Sequence, residues 1–225
     1  VTKESCIMTS FLDSRRGYDH FEKVEKEAED RIASFVNRFW LPPEKGTKIV
    51  FLDDNPPIIE EHQLRIDGNW RNWISCLSIV GQPCPLCESG DKPYTAGFYT
   101  VIDTTEWTDK KGIVHKNEVK LYCVKFQTLK KLKRASAKQS ERGKNGLVGA
   151  MFEVYRGDSK APSTGDEFEY LETLSDVDIR ALNPKAAILD YEAILKPKSP
   201  DEIRRILGKL SSTASDFNSE EDIQY

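Results

Sequence analysis

One histidine and three of the five cysteines fall within 26 residues, from His62 to Cys87, with 13, 7 and 2 residues between successive members. No other stretch limits the fold so strongly. A Cys-x-x-Cys turn, here Cys84 and Cys87 tightened by Pro83 and Pro85, directs two sulfurs at one point. Two further ligands from a preceding hairpin would complete a closed tetrahedron around zinc, with Cys76 third and His62 fourth. His115 stands in reserve for the fourth place. Such a site replaces a hydrophobic core in a small, loop-rich lobe. A redox dithiol would need a strand before the motif and a helix starting at it. Pro85 and the following Glu88 to Pro93 argue against that helix. No His-Glu-x-x-His or His-x-Glu pattern provides the open position and adjacent base of a catalytic zinc.

The length of 225 residues allows one substantial core with a small satellite lobe. No apolar run approaches the ~20 residues of a membrane span, and Val1 to Ser5 lack a signal peptide's apolar region. Clustered cysteines in odd number fit a reducing cytosol better than a disulfide framework, which leaves Cys6 and Cys123 as a surface thiol and a core residue. The net charge of −4 is unevenly spread. Residues 211–225 hold Asp216, Glu220, Glu221 and Asp222 with no Lys or Arg, while residues 110–160 hold fourteen Lys or Arg against four acids. A basic middle and an acidic end are what inform about partners.

Residues 1–17 show no period and read as an irregular arm. Phe21, Val24, Ala28, Ile32 and Phe35 recur at helical spacing, and residues 1–35 offer a route to self-association. Strands are expected at Thr47 to Asp53, Ile58 to Ile66 (bearing His62), Gly97 to Asp103, Glu118 to Gln127, Leu147 to Arg156 and Glu167 to Glu172. A hairpin turns through Asp109 to Gly112, and a basic helix is expected over Thr128 to Arg142. The fold expected is mainly β with flanking helices (α+β): a five-stranded barrel of the oligonucleotide-binding (OB) type with an inserted zinc lobe. A β-sandwich or an α+β sheet would use the same elements. Ser175 and Ser199, the latter before Pro200, cap two later helices. The divisions are then an arm and helix (1–36), a barrel (37–174) with the lobe at 60–95, C-terminal helices (175–210) and a disordered acidic tail (211–225).

The runs Arg38 to Pro43, Lys48 to Asp54, Glu61-His62, Cys76, Cys84 to Cys87, Tyr99 to Asp103 and Leu189 to Pro197 together resemble the single-stranded DNA-binding proteins of tailed bacteriophages, over roughly residues 36 to 210. The chain is also similar to the zinc-containing helix-destabilising proteins of larger phages, whose ligands are one histidine and three cysteines in the same order. The resemblance implies an OB barrel, a structural zinc, no enzymatic activity, and a place in phage DNA replication, recombination and repair in the cytoplasm of the infected bacterium. It also implies an acidic tail that docks a polymerase, helicase or recombinase.

Binding single strands without reading sequence takes cations along the phosphates and flat rings for the bases. Lys120, Tyr122 and Phe126 are expected on the outer face of one strand, with Val119, Leu121 and Cys123 inward, and Lys125 of the same strand adds a cation. Tyr155 and Arg156 on a neighbouring strand and Tyr99 on another are further candidates, and Trp70 and Trp73 would wall the groove beside the zinc lobe. Phe98, Phe152 and Trp40 are assigned to the core. In the basic helix, Lys130, Lys131 and Arg134 are candidate phosphate contacts beside Lys133, Lys138 and Arg142, with only Glu141 opposing them. The tail acids and Tyr225 would occupy this surface until DNA displaces them, and then meet partner proteins. Two other functions compete. A nuclease would gather carboxylates around metal ions, for which Asp53-Asp54 or Glu60-Glu61 are the only offers. The run Arg65-Ile-Asp-Gly68 has arginine where a ligase needs its nucleophilic lysine. The second competitor is a zinc-ribbon adaptor that binds protein, its basic helix merely solvated.

Overall fold

The computed structural model describes residues 17–22, 24–25, 36–66, 69–109 and 111–217. The chain divides into two units, Val1–Val36 and Asn37–Tyr225. In the first, residues 18–22 and 24–25 are helical, in line with the periodicity that starts at Tyr18. The irregular arm expected at the N-terminus lies almost wholly outside the described residues.

The second unit is mixed α and β. Its strands are β1 (Lys45–Phe51), β2 (Ile58–Ile66), β3 (Asn69–Ser75), β4 (Tyr94–Asp103), β5 (Trp107–Thr108), β6 (Val114–His115), β7 (Glu118–Lys125), β8 (Ala150–Arg156) and β9 (Glu167–Thr173). A 3-10 turn (Leu77–Val80) and helices α1 (Pro85–Glu88), α2 (Phe126–Glu141), α3 (Asp176–Leu182), α4 (Tyr191–Ile194) and α5 (Pro200–Phe217) complete it. Seven strands form one antiparallel sheet in the order β3-β2-β4-β1-β8-β9, with β7 on the other edge of β4, while β5 and β6 form a separate hairpin. β4 is the axis. Its first residues pair with β2 (Glu61 with Tyr94) and its last with β1 (Phe51 with Val101), so Leu52 to Pro57 is an excursion between two strands sharing one edge. β7 lies along eight residues of β4.

The sheet does not close into the expected barrel, because no strand pairing joins β7 to β9 among the described residues. An extended segment reaches across that gap instead. Phe39 N–H donates to Leu121 O (2.9 Å) on β7, and Leu41 N–H donates to Ser163 O (2.8 Å) in the loop between β8 and β9. Phe39 and Leu41 thereby join a core with Ile49, Phe51, Tyr99, Val101, Tyr122, Val124, Phe152 and Val154. Helix α2 closes that core with Leu132, helped by Leu129 and Ala135. Gly97 leaves room where α2 crosses β4: a Cβ there would lie 2.6 Å from Leu129 Cδ1, so that side chain would have to shift.

The opposite face of β1, β4 and β7 is also covered. Val50, Leu52 and Ile102 pack with Ile179 of α3, backed by Val119 and Met151. Ser175 accepts from Asp178 N–H while the Asp178 carboxylate accepts from the Ser175 N–H, the reciprocal cap expected of that sequence. Two expectations about local structure change here. Pro85 does not prevent a helix after Cys84; it occupies the first position of a single helical turn, where its missing N–H costs nothing. Residues 211–217, expected to be disordered, continue α5 to Phe217, and the rest of the acidic tail, with Glu220, Glu221, Asp222 and Tyr225, lies outside the described residues.

Candidate metal centre and cationic groove

Strand alternation builds the first site. In the β2–β3 hairpin His62 pairs with Ile74, while Glu61 pairs with Ser75 and Gln63 with Trp73. Successive side chains point to opposite faces. His62, Leu64 and Ile74 therefore face one way, and Glu61 and Trp73 the other. On the first face Leu64, Ile74, Cys76, Leu77, Cys84 and Leu86 form a small core of their own, onto which α5 lays Ile203, Ile206 and Leu207.

At its centre the donor atoms of His62, Cys76, Cys84 and Cys87 all lie within 4.8 Å of one another. His62 Nε2 is 3.5 Å from Cys84 Sγ and 3.6 Å from Cys87 Sγ, and Cys76 Sγ is 3.6 Å from Cys87 Sγ. A tetrahedral zinc with bonds of ~2.3 Å to sulfur and ~2.0–2.1 Å to nitrogen spaces its ligands about 3.8 Å apart for S···S and about 3.5 Å for N···S. The four residues thus stand at coordination spacing and could hold a metal ion such as zinc. His62 Nδ1 meets Asp91 Oδ2 at 2.5 Å, the carboxylate contact that fixes the tautomer and leaves Nε2 free to ligate. Asp91 is held by its own N–H on Leu86 O (3.0 Å), and Ser78 Oγ reaches Cys76 Sγ at 3.1 Å.

The thiols alone are in conflict. Burial pushes the Cys87 thiol up to about 12, and Cys76 and Cys84 beside it add to the rise. Burial also opposes ionisation of Cys84, but main-chain amides at Cys87, Leu77 and Leu86, with the Cys76 side chain, outweigh it and bring that thiol down to about 7. A divalent cation at this site would remove the conflict by holding all three as thiolates. His115 is not part of the cluster. It stacks on Trp107 (centroids 4.2 Å apart) between Glu118 and Asp109.

Several residues expected to face DNA are elsewhere. Tyr122 is fully buried and donates its hydroxyl to Thr164 O (3.0 Å), and Tyr99 is buried beside it, so both belong to the core. The expected division of β7 into an inward and an outward face does not hold, because both faces are covered. Lys120 is paired with Asp103 (2.7 Å) and Glu118 (3.6 Å). Arg156 is buried and donates to the main-chain oxygens of Leu41, Asp158, Ser159 and Ala161, so it clamps backbone and does not face solvent. Tyr155 is exposed, but Glu167 pairs with it across the strands and Glu153 lies two residues before it on β8. Trp73 is half-buried under the Arg38 guanidinium, 4.2 Å from its ring, while Arg38 also grips Glu61 at 2.5 and 2.9 Å. The Trp70 side chain and the tail candidates, Asp216 included, lie outside what is described. Phe98 and Phe152 are in the core as expected, whereas Trp40 is 53% exposed.

The remaining candidates gather on α2 and its approach. Lys125 is exposed above the Tyr94 ring (4.6 Å), and Phe126 is 51% exposed with Lys130 over it (4.5 Å). Lys131, Arg134 and Lys138 are exposed, and with Arg142 they line a groove of about 370 Å³ whose other wall is Phe152, Phe168 and Tyr170. Phe168 and Tyr170 were not singled out from the sequence, although β9 reads Glu-Phe-Glu-Tyr and sends its rings one way and its carboxylates the other. No family model matches the chain, and no curated protein matches it either.

Proposed function

We infer that the chain is a sequence-independent single-stranded DNA-binding protein, that its metal is a structural zinc, and that it is not an enzyme. The observation that carries this reading is α2: with its capping Arg142 it presents six Lys or Arg side chains to solvent against one carboxylate, Glu141. A cationic helix beside accessible rings is the combination that unpaired strands need. The closed set of one histidine and three cysteines, with all four positions filled by protein, suits a structural ion that pins the β2–β3 hairpin to the Cys84–Cys87 turn, over which α5 packs.

In this reading the curled sheet, with α2 closing its core and residues 37–41 bridging its gap, is an open relative of the OB barrel carrying an inserted zinc lobe. The acidic tail competes for the cations of α2 and docks replication, recombination or repair proteins of a phage in its host's cytoplasm. The test is fluorescence titration of the full chain with oligo(dT), duplex DNA and polyglutamate across a salt series. Single-strand preference with a log–log salt slope of about −3 to −4, as four to six displaced counterions give, supports the reading. Oligo(dT) bound no more tightly than duplex or polyglutamate refutes it.

A further inference from the structure

The groove between α2 and β8–β9 has a composition that a solvated helix face does not explain. Lys131, Arg134, Lys138 and Arg142 are spaced by three, four and four residues, which stacks them in one row along the helix. The row is about 16 Å long at 1.5 Å per residue. Facing it, Phe152 meets Phe168 edge-on at 6.5 Å and Tyr170 at 5.6 Å, so the aromatic core runs outward to form the groove's wall. Arg142 lies 5.5 Å from the Tyr170 ring. Among the described residues the one carboxylate lining the groove is Asp166, whose Oδ2 lies 4.0 Å from the Lys131 ammonium, while that ammonium donates to the Asp166 main-chain oxygen at 2.6 Å. Gln139 also lines it, almost fully buried, and its Oε1 has no hydrogen-bond donor.

We propose that this groove is a nucleotide pocket that holds one base-and-phosphate unit. The ring packs on Phe168 and Tyr170, and the phosphate sits between Lys138 and Arg142. The volume is in the range of small-ligand sites, ~300–1,000 Å³, and matches one such unit better than a duplex. The unit comes either from a single strand threaded past α2 or from a free nucleotide. The inference rests on the single-strand reading only for the first source.

Full-length protein is titrated calorimetrically with dTMP and, separately, with oligo(dT), using the unaltered chain, Lys138→Ala/Arg142→Ala, Tyr170→Leu, and Lys185→Ala, an exposed cation after α3, as a control outside the groove. The expected result is one dTMP per chain. Its affinity should fall about tenfold or more in the double variant and in Tyr170→Leu, as loss of one stacked ring gives, and stay unchanged in Lys185→Ala. The surface double variant keeps the test valid if Tyr170→Leu misfolds. Oligo(dT) that binds while dTMP does not, with the groove variants indistinguishable from the parent, overturns the pocket and leaves the proposed function intact. Binding of dTMP without single-strand preference upholds the pocket and sinks that function. A peptide of residues 211–225 that binds the groove where dTMP fails also overturns it.

Discussion

Arg156→Lys separates two roles for a cation on β8. The guanidinium spreads its donors over four main-chain oxygens, Leu41 (2.9 Å), Ser159 (2.9 Å), Asp158 (3.1 Å) and Ala161 (3.2 Å), and so ties the β8–β9 loop to the segment that bridges the open side of the sheet. A lysine keeps the charge but not the planar fork. Hydrogen bonds from charged donors contribute about 1.5–3 kcal/mol each. Losing two of the four directions costs about 3–6 kcal/mol before water reaches the freed carbonyls, and about 2–4 kcal/mol after it does. For a chain of this size that lowers Tm by about 4–16 °C. The assay is urea and thermal unfolding beside an oligo(dT) salt series. The clamp predicts a large stability loss with the salt slope unchanged. Unaltered stability with weakened DNA binding would falsify it and return Arg156 to the phosphate contacts.

Other expectations follow from the same contacts. Tyr122→Phe strands the Thr164 carbonyl and should cost about 1–2 kcal/mol by urea unfolding, while oligo(dT) affinity stays within about twofold of the parent. Ile203→Ala opens a cavity where α5 meets the metal lobe, costing about 2–5 kcal/mol, and should speed metal loss to a colorimetric chelator. Chelation of the unaltered protein should raise amide exchange in α5 and leave β1, β4 and β8 protected; uniform exchange would mean that the lobe and the main core are one cooperative unit. Burial raises the Asp53 carboxyl above its ordinary 3.8 despite hydrogen bonds from Tyr191 and Thr100. Its contribution is then full below that pH and lost as pH rises through the folded-state value, so urea midpoints of Asp53→Asn should decline less with rising pH than those of the parent.

What could be read from the sequence was local. The bounds of β2, the caps at Ser175 and Ser199, and the meeting of His62 with the three cysteines all depend on short-range geometry: a period of two, a reciprocal hydrogen bond, a tight turn. The facing of β7 was not legible, because a strand covered on both sides carries apolar groups at both parities, Val119 toward α3 and Tyr122 and Val124 toward the core. Charge misled in the same way. Arg156 and Lys120 look like surface cations until the fold brings carbonyls to one and Asp103 to the other. The open sheet was hidden as well, since the bridging segment is held by its main chain. The rings of β9 were legible and overlooked, their alternation with glutamates marking a half-covered edge strand. Asp91, four residues beyond Cys87, carried no signal of its own before the turn brought it to His62.

Native mass spectrometry of the purified chain, with metal analysis on the same sample, addresses the metal-pinned lobe most directly. One zinc per chain in the parent, its loss in Cys84→Ser, and Cys76, Cys84 and Cys87 shielded from a thiol reagent until a chelator is added are the expected results. A metal-free native chain in which those thiols react at once would contradict it.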